Sequence, residues 1–77
     1  MTASTGLIVG NLTAEVITNL LPEFHRVLAP QGVAILSGIL LEQAEELRAL
    51  TVRSGFVIHE EITQGEWLAL VVEKHGR

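Results

Sequence analysis

The sequence predicts one α/β domain built on a mixed sheet. Its elements run β-α-β-α-β-β, and the last strand is inserted between the second and third. Three observations carry this expectation. Val33-Ala34-Ile35-Leu36 is a continuous apolar run too short for a helix, followed by Ser37-Gly38 and then by helical spacing. Gly6-Leu7-Ile8-Val9-Gly10 is a similar run, again followed by an amphipathic stretch. Near the end, two apolar segments are separated only by Thr63-Gln64-Gly65-Glu66, a link too short for anything but an antiparallel hairpin.

Seventy-seven residues make at most one domain, near the size where a single core becomes marginal. The apolar share of 48% is enough for a core and argues against disorder. There is no cysteine, so neither a disulfide framework nor a thiolate metal site is available. No apolar run approaches the roughly 20 residues of a membrane span. Met1-Thr2-Ala3-Ser4-Thr5 lacks both parts of an export signal, so residues 1–5 are expected to be a flexible leader and the location cytoplasmic. The domain proper is placed at 6–74, with a polar tail at 75–77. The net charge is −4, and Arg26, Arg48, Arg53, Lys74 and Arg77 are scattered, with no basic stripe. Phosphate backbones are bound through clustered cations, so nucleic acid is not an expected partner.

Gly6 to Gly10 reads as a buried strand. Thr13 is a candidate N-cap, with Glu15 suited to the positive helix start. Val16, Ile17, Leu20, Leu21, Phe24, Val27 and Leu28 then recur at spacings of three and four, the pattern of an amphipathic helix. Pro22 lies inside it and predicts a kink or restart. Ala29-Pro30-Gln31-Gly32 reads as a turn. The strand at about 33–37 is expected to be buried on both faces, with helices above and below, and to enter the next helix through Ser37-Gly38. That helix is expected over about 41–53, with Ala44, Leu47 and Thr51 inward, Glu42, Glu45 and Glu46 outward, and Gly55 as its left-handed C′ residue. Phe56 to Ile62 alternates as an outer strand does. Trp67 to Val72 is apolar on both faces and so belongs inside the sheet.

Parallel sheets bind ligands beyond the carboxyl ends of their strands, which brings Gly10-Asn11-Leu12 and Ser37-Gly38-Ile39 to one edge. Asn11 carries donors and an acceptor there. It could read an amine or carboxylate, or simply cap its own turn. His25, His59 and His75 have no ligand spacing, so no metal is expected. Glu60 and Glu61 are neighbours on a strand and point to opposite faces, as surface charges do. Trp67 reads as core or interface. Ser37 lacks a nucleophile elbow, and no catalytic residue is assigned. Neither a Gly-x-Gly-x-x-Gly nor a P-loop occurs, leaving no phosphate cradle.

Five segments together carry a resemblance. They are Leu7-Ile8-Val9-Gly10-Asn11-Leu12, Leu28-Ala29-Pro30-Gln31-Gly32, Leu36-Ser37-Gly38-Ile39-Leu40 with Glu42-Gln43-Ala44-Glu45, Gly55-Phe56, and Gly65-Glu66-Trp67-Leu68-Ala69-Leu70-Val71. From Gly6 to Lys74 the chain resembles the C-terminal half of the PrmA-type ribosomal protein methyltransferases, which modify protein eleven of the large ribosomal subunit. The resemblance implies the second half of a class I, Rossmann-like methyltransferase sheet and S-adenosylmethionine as the parent family's methyl donor. It also implies a ribosomal protein amino group as substrate, with Asn11 as the cofactor-binding residue beside the reacting amine. The family usually has Ala-Asn-Ile-Leu where Gly10-Asn11-Leu12-Thr13 stands here, an aspartate at Gly6, and Pro-Gly-Gly at Pro30-Gln31-Gly32. Its Gly-rich loop, ribose-binding acid and substrate-recognition domain lie upstream of what this chain matches. The chain alone is therefore expected to be inactive and to hold no cofactor tightly. Its expected partner is either the N-terminal half or a second copy. The alternative to a methyltransferase fragment is a structural module that dimerises through its exposed first strand.

Overall fold

The computed structural model describes residues 5–75. The elements are β1 (Thr5–Asn11), α1 (Ala14–Val27), β2 (Leu28–Leu40), a 3-10 turn (Leu41–Gln43), α2 (Ala44–Arg53), β3 (Phe56–Gln64) and β4 (Trp67–Lys74). The sheet order is β1-β2-β4-β3. β1 pairs parallel to β2, and β4 pairs antiparallel to both β2 and β3, so the last strand is the inserted one. Apart from Thr5, the expected leader lies outside the described residues, as does the tail beyond His75.

One expectation is corrected at the level of layers. The core consists of Ala14, Ile17 and Leu21 of α1, Ala44 and Leu47 of α2, and Leu28, Ala34, Leu36, Ile39, Phe56, Leu68, Leu70 and Val72 of the strands. Both helices therefore pack on the same face. The cause is topological: each crossover moves in the same direction across the sheet, and right-handed connections then deliver both helices to one side. Alternation along the strands does the rest. Ile8, Ala34 and Leu36 face the helices, while Leu7, Val9, Val33 and Ile35 face outward. Leu7 is 55% and Val9 68% exposed, so β1 is not the buried strand its composition suggested. Val33 and Ile35 are half-buried, so β2 is not buried on both faces either.

Local signals behave largely as their chemistry requires. The Thr13 hydroxyl accepts the Val16 N–H at 3.3 Å as the N-cap of α1. Of the expected kink or restart at Pro22, the restart does not occur: α1 runs through Pro22 as one helix. Pro22 and Thr18 are both exposed, so the Thr18 carbonyl that loses its donor can turn to water. The turn expected at Ala29-Pro30-Gln31-Gly32 is instead an irregularity inside the long β2. Thr5 pairs with Leu28 and Leu7 already with Val33, and Gln31 takes up the excess at φ +65°. Gly55 adopts φ +93° after α2, with its N–H on the Val52 carbonyl, as expected of a C′ residue. The His25 ring lies over Gly55 and meets Phe56 edge-on at 5.4 Å. In the hairpin, Gly65 at φ +61° takes the first central position between Gln64 and Trp67.

Two features of α2 make measurable predictions. Thr51 is fully buried and its hydroxyl has no hydrogen-bond partner among the described residues. An unpaired buried hydroxyl costs on the order of 1–3 kcal/mol, so Thr51→Val is expected to raise stability by about 1 kcal/mol in urea unfolding. A fall would mean that the hydroxyl is bonded in solution.

Arg48 grips Glu61 of β3 with two bonds, Nε to Oε2 at 2.6 Å and Nη2 to Oε1 at 2.9 Å. These bonds, reinforced by the guanidinium charge, hold the Glu61 carboxyl below its usual 4.5. A carboxyl depressed on folding contributes its stability above the unfolded value and loses it as pH falls through the folded one. The wild type should therefore lose stability relative to Glu61→Gln only below about pH 4.5. The difference should be small because the pair is partly solvated. Thermal melts between pH 3 and 7 check this, and an unchanged difference across that range would refute it.

Candidate functional site

The carboxyl ends of β1 and β2 and the hairpin end of β3 and β4 meet at one edge of the sheet. Asn11 pairs with Ser37, and Leu40 and Gln64 both pair with Trp67. An open cleft of about 370 Å³ lies there, lined by Asn11, Ser37, Gly38, Gln64 and Trp67. A larger cleft of about 480 Å³ lies between α1 and α2. It is a groove on the helix side, lined by Ala14, Glu15, Thr18, Asn19, Gln43, Glu46, Leu47, Leu50 and Arg53, without the strand-end groups of the other.

What shapes the strand-end cleft is a bulge in β2. Leu36 pairs with Leu70 but Ile39 with Leu68, so Ser37-Gly38 holds one residue more than β4 opposes. The sequence reading placed the end of the strand here, but the strand continues to Leu40 and the helix is entered through the 3-10 turn. The bulge clamps the segment after β1. Ser37 donates its hydroxyl to the Gly10 carbonyl at 3.2 Å, and its own carbonyl accepts the Leu12 N–H at 2.9 Å. Gly38 sits at φ +86°, where a Cβ would come within 2.5 Å of the Leu12 carbonyl oxygen and 2.7 Å of Asn11 Oδ1. Only glycine fits there. The Asn11 carboxamide thus rests against bare backbone, at an exposed position at the end of β1.

Of the residues singled out from the sequence, Asn11, Ser37 and Gly38 are brought together. His25, His59 and His75 lie apart, on α1, on β3 and after β4. His59 pairs instead with Glu73. Among the described residues, no three histidine, aspartate or glutamate side chains gather as a metal site. Glu61 engages Arg48 while Glu60 is exposed on the other face, as expected of strand neighbours. The sequence reading missed Gln64 and the setting of Trp67. Trp67 is 54% exposed and lines the cleft beside Asn11, which excludes the core half of the core-or-interface expectation. The available signal was register: a two-residue hairpin turn carries the first residue of β4 to the same edge as the end of β1.

Comparison with known proteins gives this edge its context. Residues 1–75 match the family model described as "Ribosomal protein L11 methyltransferase (PrmA)". The chain belongs to the PrmA family. The ribosomal protein L11 methyltransferase of Desulforapulum autotrophicum is 49% identical over 67 residues, which are 87% of this chain and 22% of that protein. The enzyme of the same name from Gloeobacter violaceus is 44% identical over 64 residues, 83% of this chain and 20% of that protein. This PrmA-family chain therefore spans about a fifth of the length of the curated relatives it matches. The crystal structure of a ribosomal protein L11 methylase from Lactobacillus delbrueckii subsp. bulgaricus superposes with a TM-score of 0.89 at 29% identity, covering 97% of this chain and 39% of that one. A complex of M1.HpyAVI with SAM shares the fold, with a TM-score of 0.78 at 12% identity over 95% of this chain and 46% of that one. The fold is thus part of a Rossmann-like methyltransferase sheet, as the sequence predicted.

Proposed function

We propose that this chain supplies the acceptor side of a protein N-methyltransferase site, with ribosomal protein L11 as substrate and S-adenosylmethionine as donor. The observation that carries the reading is the strand-end cleft, where Asn11 is held by the Ser37-Gly38 bulge in a chain of the PrmA family. A methyl group passes to an amine only when the nitrogen lone pair is in line with the breaking bond, so catalysis here is largely positioning. Asn11 suits that task. Its Oδ1 can accept an N–H of the amine and thereby direct the lone pair, while its amide neither gains nor loses a proton. When bound, the donor supplies an activated methyl on a sulfonium. The cleft's carboxamides, hydroxyl and indole fit the amine and that methyl end. None of the five lining residues is a carboxylate that could hold a ribose. Most of the donor's binding energy is therefore assigned to the upstream part of the family's fold, and this chain by itself is expected to transfer no methyl groups.

The test is reconstitution. The chain is mixed with the portion of the Desulforapulum relative that precedes the matched segment, and methylation of L11 is assayed. Activity is expected only with both pieces, and Asn11→Ala should lower it by roughly tenfold or more, the worth of a hydrogen bond to a developing charge. Full activity of Asn11→Ala in a reconstituted pair would end the reading. In the isolated chain, S-adenosylmethionine should shift the amide resonances of Asn11, Leu12, Ser37 and Gly38 only weakly.

One observation favours a second reading, self-association. Among the described residues β1 has a strand neighbour on one side only, and Val9 is largely exposed on it. Edges of this kind template pairing between chains. If copies associate through β1, sedimentation should show a concentration-dependent dimer that Val9→Lys abolishes while the circular dichroism is unchanged. A wild-type monomer at all concentrations would dispose of it.

A further inference from the structure

The strand-end cleft does not close on the helix side. Gly38 and Trp67 line it and also line a neighbouring cleft that reaches Ala14, Glu15 and Gln43. Those last three residues in turn line the groove of about 480 Å³ between α1 and α2. Shared walls thus join the Asn11 edge to a groove that follows α2 from Gln43 to Arg53.

This groove carries opposite charges at its two ends. Glu15 of α1 and Glu46 of α2 stand in the first turns of their helices, and Arg53 stands in the last turn of α2. Helix dipoles favour that order of signs, but they do not require all three side chains to line one groove. Arg26 and Arg48 are engaged with Glu23 and Glu61, whereas among the described residues Arg53 has no carboxylate partner and Glu15 and Glu46 have no cation. Glu46, Leu50 and Arg53 follow one stripe of α2, and the seven residues from Glu46 to Arg53 rise about 10 Å. Between the ends lie groups that suit a peptide backbone. Gln43 Oε1 accepts the Leu40 N–H, which leaves its amide N–H groups to donate. The Thr18 hydroxyl donates to the Ala14 carbonyl and can still accept, and the Asn19 carboxamide is exposed beside it.

We infer that the α1–α2 groove seats an extended stretch of the protein substrate adjoining the methylated amine. A basic residue of that stretch meets Glu15 and Glu46, and an acidic residue about three positions farther from the amine meets Arg53. An extended chain covers about 3.3–3.6 Å per residue, so three positions match the two helical turns between the charges. The inference rests on the acceptor-side reading and deepens it, because it places sequence recognition outside the cleft where the amine reacts. An apolar helix is a poorer occupant, since only Leu47 and Leu50 offer it a floor.

The test uses the chain as it stands, followed by its amide resonances. Three short peptides built on serine and glycine are titrated. One carries a lysine and, three positions on, a glutamate; one carries the same two residues side by side; one has glutamines in their place. The spaced peptide should bind about two- to tenfold more tightly than either control, the worth of two exposed ion pairs. Its shifts should centre on Glu46, Leu50 and Arg53 and should shrink with added salt. Arg53→Gln should erase the advantage, and so should Glu15→Gln with Glu46→Gln, with the circular dichroism unchanged. Prolonging the spaced peptide on its lysine side, by a few residues and a second lysine, should add shifts at Asn11 and Gly38. Equal binding of the three peptides, no saturable shift, an advantage that survives Arg53→Gln, or a prolonged peptide that leaves Asn11 and Gly38 unmoved would each overturn the inference. Failure here alongside reconstituted methylation that still depends on Asn11 would leave the acceptor-side reading intact. The expected peptide binding beside a reconstituted pair indifferent to Asn11→Ala would fail that reading while still supporting the groove.

Discussion

Gly38→Ala is expected to lower the melting temperature by roughly 10–25 °C, seen by circular dichroism. Two costs add. An alanine held at positive φ is disfavoured by about 1–2 kcal/mol. Its Cβ would also lie 2.5 Å from the Leu12 carbonyl oxygen, which belongs to backbone and cannot swing aside. Moving the chain to relieve such overlap typically costs a further ~1–3 kcal/mol. Because Asn11 Oδ1 is the next nearest atom, at 2.7 Å, whatever folded protein remains should show the Asn11 resonances displaced. A melting temperature within two or three degrees of wild type would mean that the bulge is looser than its geometry implies.

Leu70→Ala should be about as damaging for a different reason. Leu70 is fully buried in the inserted strand β4, pairing with Leu36 on one side and Glu61 on the other. Truncating such a leucine usually costs about 2–5 kcal/mol, because its neighbours close the cavity only partly. A domain of this size has on the order of 4–12 kcal/mol in all, so much of its stability is at stake. Urea unfolding should move to a lower midpoint with the slope kept. A loss below about 1 kcal/mol would show that α1 and α2 can settle into the gap.

The order of elements was legible because the apolar strand runs are set apart in sequence by segments with glycine, proline or polar residues, and each helix shows its own spacing. The insertion of β4 was legible too: Leu68 to Val72 is apolar at every position, and only an interior strand needs that. The layer arrangement was misread from the same composition. Val33 and Ile35 look like core residues, but apolarity does not say which side the helices take. The handedness rule applied twice in one direction would have said it. Pro22 and the Ala29–Gly32 stretch misled in another way. Neither breaker ended its element: at Pro22 an exposed helix face tolerates the lost donor without a restart, and a long strand absorbs the surplus residues at Gln31. At the site, Asn11 was found by its place at a strand end. Trp67 was not, because nothing local separates an exposed indole from a buried one, and only the hairpin's pairing brings it round.

The one-sided helix layer has a practical consequence for handling the protein. Leu7, Val9, Val57 and Ile62 remain more than two-fifths exposed on the bare side of the sheet in the native fold. Environment-sensitive dyes that brighten on apolar surface would therefore glow before any heating, and melting would dim them or leave them nearly flat. Read by such a dye, a well-folded sample would pass for a molten one. Near-ultraviolet dichroism and the dispersion of side-chain resonances, which a molten state loses while keeping its far-ultraviolet dichroism, are the probes that would tell the two apart.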